Sequence, residues 1–342
     1  MARRLCAKPS KITNIVRSRN NKFKPQTETN QLTNNNSTLS VTFEETRKKF
    51  GTLVALDRLS LQIPRGSVYG FIGPNGAGKT TAMRILVGIS KPTSGTIKVL
   101  DADDVKDVRH LIGYLPEEKG LYKRMRVIDY IVYFGRLNGM RKRDAIAKAK
   151  GLLSEFQLAD WEKEKCQALS KGMGQKVQLM ATLVHDPILM VLDEPFSGLD
   201  PVNVEVVRSI ILNKVKENST VILSTHIMEQ AESLCDAVVL INKGKAVLEG
   251  PIDEIRKGDV VSVDHEGEVS VFDGLQGVVS VKQIGRAATL EVDPECDLQT
   301  LLKSICERTK VTQFNANSAS LHEIFIREVG GSEATSETTA DA

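Results

Sequence analysis

Long apolar runs are absent from this chain of 342 residues. The longest, such as Ile188 to Leu192, fall far short of the ~18 residues that a bilayer span needs, so no transmembrane helix is encoded. Cysteine pairing is missing too. The five cysteines, Cys6, Cys166, Cys235, Cys296 and Cys306, are odd in number and form no C-x-x-C pair, which excludes a disulfide framework or zinc-ribbon reading and fits buried or incidental thiols in a reducing compartment. Internal repeats are also lacking. No charge of one sign dominates, since 46 Lys and Arg stand against 43 Asp and Glu.

The small basic excess is local. Residues 1–39 hold eight Lys or Arg against one acid, Glu28, which leaves the rest of the chain net acidic. That segment is rich in Asn, Ser and Thr and poor in large apolar residues, so it is expected to be a disordered tail, or an upstream start misassigned in the reading frame. Contact with anionic lipid or nucleic acid, or an organelle transit peptide, are the alternatives. Residues 331–342 form a second polar tail.

The strongest positive feature is Gly73-Pro74-Asn75-Gly76-Ala77-Gly78-Lys79-Thr80-Thr81, entered from the apolar run Val68 to Ile72. This is a phosphate-binding loop. Glycines let successive backbone N–H groups approach phosphate oxygens; Lys79 reaches the outer phosphates, and the Thr80 hydroxyl is placed for Mg²⁺. A helix starting near Lys79 points its positive end at the anion. A second feature is Met190-Val191-Leu192-Asp193-Glu194, an apolar strand ending in two carboxylates. Asp193 is expected to orient the metal and Glu194 to take a proton from attacking water.

Period-two alternation at Val41 to Glu44 and Leu59 to Ile63 predicts strands, as do the apolar runs 188–192, 220–224 and 237–241. Short apolar strands separated by helices predict an α/β fold with a largely parallel sheet covered on both faces. Helical spacing of Val127, Ile131, Phe134 and then Ile146, Ala149, Leu153 and Phe156 predicts a helical insert over about 118–180 within a domain of residues 40–250. After Pro251, alternation at 260–263 and 269–272, an amphipathic helix near Leu298 to Cys306, and a closing segment from Leu321 predict a small α+β accessory domain over 256–330.

Taken together, the phosphate loop, the Asp193-Glu194 strand end and Leu169-Ser170-Lys171-Gly172-Met173 resemble the ATP-binding subunit of an ABC transporter, over roughly residues 40–250. The family's usual signature is Leu-Ser-Gly-Gly-Gln. The resemblance implies a P-loop ATPase that works as a pair, each ATP held between Lys79 of one chain and Ser170 and Gly172 of the other. It further implies that Asp200, in Ser197-Gly198-Leu199-Asp200, lies at the dimer crossing, that His226 senses the terminal phosphate, and that Phe50 stacks on adenine. Glu117 stands where the family has glutamine, and could still approach Mg²⁺ or its waters. Glu117, Lys171 and the Glu118-Lys119-Gly120-Leu121-Tyr122 run resemble the subunits of sodium-export and related ABC-2-type exporters. The implied partners are a second ATPase subunit and an integral membrane permease, with the chain on the cytoplasmic face and no direct nucleic acid contact. The competing reading is a soluble ABC ATPase acting on ribosomes or DNA.

Overall fold

Residues 38–118, 120–256, 260–293, 296–316, 320–326 and 328 are described by the structure, a computed structural model. The expectations for the basic segment up to residue 37 and for the tail 331–342 lie outside the described residues.

The chain begins with the strands β1 (Leu39–Phe50), β2 (Leu53–Pro64) and β3 (Val68–Ile72), followed by helix α1 (Lys79–Leu86) and β4 (Ser94–Val99). The short α2 (Val105–Val108) leads to β5 (Ile112–Leu115). Three helices come next, α3 (Val127–Leu137), α4 (Lys142–Glu155) and α5 (Lys171–Leu183). Then β6 (Leu189–Asp193), α6 (Pro201–Lys216), β7 (Thr220–Thr225), α7 (Met228–Leu234), β8 (Ala237–Asn242), β9 (Lys245–Pro251) and α8 (Ile252–Ile255) alternate. The last part holds β10 (Val260–His265), β11 (Val278–Ile284), β12 (Ala287–Val292), α9 (Leu298–Arg308) and β13 (Val311–Ala316).

A six-stranded sheet of order β5-β6-β7-β3-β8-β9 forms the centre, parallel except for the edge strand β9. Every residue of β3, β6 and β7 is buried, because a parallel strand has helices or another layer on both faces. Register then determines what meets at the carboxyl edge. Ile72 of β3 pairs with Thr225 of β7, and Asp193 of β6 pairs with Ser224. The residues that follow these strands therefore emerge side by side, as ligand sites of open α/β sheets do.

An antiparallel sheet of order β2-β1-β4 covers one side of this centre. Its inward residues, Val41, Phe43, Leu59, Leu61 and Ile63, join Phe71, Met83, Leu86 and Ile222 in one apolar cluster. On the opposite side α3, α4 and α5 build a helical layer whose Val127, Ile131, Ala145, Ala149, Leu153 and Phe156 pack with Met180, Met190 and Leu223. Of the residues read at helical spacing from the sequence, Phe134 and Ile146 are only partly buried and the others are buried.

Strands β11-β12-β10-β13 make a four-stranded antiparallel sheet with its own cluster of Val261, Val263, Leu290, Leu301 and Ile305, α9 packing on it. Two expectations here change. The alternating run 269–272 is a 3₁₀ turn rather than a strand, with Phe272 buried and Arg308 Nη1 donating to the carbonyls of Val271 and Asp273 at 3.1 and 2.7 Å. Four alternating residues are too few to distinguish a strand from a turn that buries one aromatic. Residues 321–326, expected in the accessory domain, instead pack on the nucleotide-binding side. Leu321 and Phe325 join Ile72, Met228, Ala231, Leu240 and Ile252, and the Leu321 N–H donates to the Glu232 carboxylate.

Candidate functional site

A cleft of about 560 Å³ opens at the carboxyl edge of β3 and β6. Asn75 to Thr81 line it, with Glu117, Asp193, Glu194 and, at the rim, Phe50, Leu53, Lys243 and Gly244. Gly73 and Pro74 lie at the base of the same loop. Gly73 has φ +143, and a Cβ there would come within 2.1 Å of the Ile241 carbonyl. Gly78, with φ +116, would collide with the Ala55 carbonyl at 2.5 Å. Only glycine lets the loop pass this close to neighbouring backbone.

Lys79 folds back onto its own loop. Its ammonium donates to the carbonyls of Gly73 at 2.7 Å and Pro74 at 3.0 Å. Burial holds Lys79 below the usual lysine range, opposed by the nearby carboxylates of Glu194, Asp193 and Glu117. The Thr80 hydroxyl lies 3.3 Å from Asp193 Oδ1, which also accepts from the Ser224 hydroxyl at 2.5 Å. Asp193 Oδ2 is buried with no partner. An orphaned carboxylate oxygen beside a threonine hydroxyl is a donor set that fits a hard divalent cation.

Glu194 takes the left-handed backbone conformation, φ +49, which costs a non-glycine residue roughly 1–3 kcal/mol. Its N–H donates to Ser224 Oγ at 2.9 Å, and its Oε1 accepts from His226 Nδ1, also at 2.9 Å. The residue is thereby held at its backbone by Ser224 and at its carboxylate by His226, beside the phosphate loop. Phe50 is 52% exposed at the mouth of the cleft, with the Lys48 ammonium 4.9 Å above its ring.

Ser170, Gly172 and Asp200 do not line this cleft; they form a second group at two helix starts. Ser170 caps α5, its hydroxyl accepting from the Met173 N–H at 3.3 Å, and Asp200 caps α6 by accepting from the Asn203 N–H at 3.0 Å. That backbone bond is the largest cause holding Asp200 below the usual carboxylate range. The two starts touch: a Cβ on Gly172 would lie 3.7 Å from Leu199 and 3.8 Å from Asn203.

Sequence reasoning missed Ser224 as a site residue. Its signal was its place, a small hydroxyl at the end of a strand beside the one carrying the carboxylates. It also missed Gln175, whose Nε2 donates to the Pro195 carbonyl at 3.3 Å while its buried Oε1 has no partner.

Residues 56–197 match the family model for the ABC transporter, and residues 250–329 match that for the C-terminal domain of ATP-binding proteins DrrA1-3. The uncharacterized ABC transporter ATP-binding protein YhaQ of Bacillus subtilis is 36% identical over 293 residues, covering 85% of this chain and 98% of YhaQ. The chain belongs to the ABC transporter ATP-binding proteins. The Nod factor export ATP-binding protein I of Burkholderia lata is 31% identical over 299 residues, covering 85% of this chain and 97% of that protein. A solved ATP binding subunit of an ABC transporter superposes with a TM-score of 0.60 at 28% identity, covering 64% of this chain and 92% of that one. This ABC ATPase is accordingly the ATP-hydrolysing component of a membrane transporter, of a family whose members pair and work with membrane permeases. Among the described residues no helix is long and apolar enough to cross a membrane.

Proposed function

We propose that this chain is the motor of an exporter, with two copies closing on two ATP molecules at the cytoplasmic face of a membrane and driving a separate permease. The observation that carries the chemistry is Glu194 beside the phosphate loop, its carboxylate held by His226 and its backbone N–H by Ser224. Lys79 exchanges its two loop carbonyls for the outer phosphates of ATP as the nucleotide enters. Glu194 takes the proton of the attacking water, and His226 keeps its carboxylate turned toward the terminal phosphate. Thr80 and Asp193 would hold Mg²⁺, with Glu117 near its outer waters; the ion's contribution is to offset phosphate charge. Ser170 and Gly172 of the second copy complete each site by presenting the amino end of α5 to the terminal phosphate.

Export is the direction favoured by the likeness to the Nod factor export protein and by the match of residues 250–329 to the DrrA1-3 C-terminal domain. The experiment is Glu194→Gln. The variant is expected to bind ATP with little change, lose about 10²- to 10⁴-fold in turnover, and accumulate as an ATP-bound dimer that retains a multi-span membrane protein during purification. Normal turnover removes Glu194 from its role, and recovery of ribosomes or DNA in place of a membrane protein overturns the transporter assignment.

A further inference from the structure

The cleft is short of cations. Glu117, Asp193 and Glu194 face it, against Lys79 and, at the rim, Lys243, before a polyanionic nucleotide arrives. Glu117 is exposed, and among the described residues no hydrogen bond or ion pair engages its carboxylate. Its field nevertheless reaches the site, because it acts on both the Lys79 ammonium and the Tyr114 phenol. Its action on Lys79 is favourable, but that single ammonium is shared among three carboxylates, and Glu117 adds a negative charge to the cleft that an amide at this position would not.

Lys171 has the opposite problem. It is the first residue of α5, directly after the Ser170 cap, in a first turn that holds no acidic residue. A cation there opposes the helix dipole. Its stem is laid across Gly198: a Cβ on that glycine would come within 2.5 Å of Lys171 Cε and 2.6 Å of Nζ. The side chain is exposed, and among the described residues no carboxylate lies within ion-pair distance of its ammonium. Helix start and loop thus fix an unneutralised cation beside the surface that the proposed function turns toward the second copy.

Among the described residues neither charge has an ion-pair partner in its own chain, and the two are of opposite sign. We propose that Lys171 acts across the dimer, as the counter-charge to Glu117 at the nucleotide site of the other copy. This rests on the paired arrangement given under the proposed function. Closure adds the Lys171 ammonium to the Glu117 side of the cleft, so the pair rewards the closed state and contributes little to the open one. Lys171 is a positioning residue in this scheme; it makes closure depend on Glu117.

The test is a double-mutant cycle in the Glu194→Gln chain, reading the ATP- and Mg²⁺-dependent dimer dissociation constant by sedimentation at low and high salt. Lys171→Met keeps the stem over Gly198 and removes the charge, and Lys171→Arg keeps the charge. Lys171→Met is expected to weaken the dimer about tenfold at low salt and less at high salt, with Lys171→Arg within about threefold of the parent. Once Glu117 is Gln, Lys171→Met is expected to change the constant by no more than about twofold. An equal loss in both backgrounds, or no loss in either, overturns the pairing while leaving the dimer intact. Failure of Glu194→Gln to dimerise with ATP at all overturns the paired arrangement, and this inference with it.

Discussion

Replacing Ser224 with alanine removes one oxygen atom that bonds both Asp193 and Glu194. The hydroxyl is fully buried, donates to Asp193 Oδ1 at 2.5 Å and accepts from the Glu194 N–H at 2.9 Å. The first bond is made to a carboxylate, a class worth about 1.5–3 kcal/mol, and the second loss leaves a buried N–H unsatisfied at about 1–3 kcal/mol. Because one atom serves both, and the neighbourhood relaxes in part, the expected loss of stability is about 2–4 kcal/mol. Function should change in a particular way. Glu194 keeps its left-handed backbone only while its N–H has this acceptor, so the variant is expected to let the carboxylate drift from the cleft and to lose about 10- to 100-fold in kcat. KM for ATP should move less than about threefold, because among the described residues no hydrogen bond joins Ser224 directly to the phosphate loop. The assay is steady-state ATP hydrolysis alongside urea unfolding followed by the single tryptophan, Trp161. A stability change under about 0.5 kcal/mol with kcat unaltered, or a rise in KM with kcat intact, refutes the idea that Ser224 sets the position of Glu194.

Much of the fold was legible because its signals are local and repeated. Strands β3, β6, β7 and β8 are mainly apolar runs with their polar residues at or next to the strand ends, as two-sided burial requires, and α3 and α4 carry their apolar residues at helical spacing. The phosphate loop was legible for a stronger reason: Gly73 and Gly78 stand where the chain touches the carbonyls of Ile241 and Ala55, so the backbone accepts no other residue. Long-range pairing was what the sequence could not show. Ser224 lies 31 residues from Asp193, and only the parallel register of β6 with β7 brings them together. Leu321 likewise reads as the start of the segment that closes the accessory domain, and only the structure shows its partners to include Met228, Ala231 and Leu240. The 3₁₀ turn at 269–272 failed for a different reason, since a tertiary contact from Arg308 fixes its carbonyls and overrides the local alternation.

Three further perturbations follow from the same geometry. Gly73→Ala forces a Cβ to within 2.1 Å of the Ile241 carbonyl, so the phosphate loop must shift, and ATP binding measured by equilibrium dialysis is expected to fall more than tenfold. Phe50→Ala removes the exposed ring at the cleft mouth and should raise the Kd for ATP about 5- to 100-fold, from a stacking contribution of about 1–3 kcal/mol, with little change for inorganic triphosphate; an equal effect on both ligands removes Phe50 from base contact. His185 tests the packing between β5 and α5. Its Nε2–H donates to the Ile112 carbonyl at 3.2 Å, and its Nδ1 is buried without a partner. Burial pulls its pKa below the ordinary 6.5, while the Ile112 carbonyl and Asp186 act upward and His110 downward. Below pH 6.5 the unfolded chain takes up a proton at this position that the folded chain resists, so folding stability is lost as pH falls through that window, at no more than about 1.4 kcal/mol per pH unit. His185→Gln, which retains a donor for the Ile112 carbonyl, should flatten that part of the urea-unfolding profile while leaving stability near pH 8 within about 1 kcal/mol of the parent. An unchanged slope between pH 6.5 and 5 would show that another group carries the acid sensitivity of this interface.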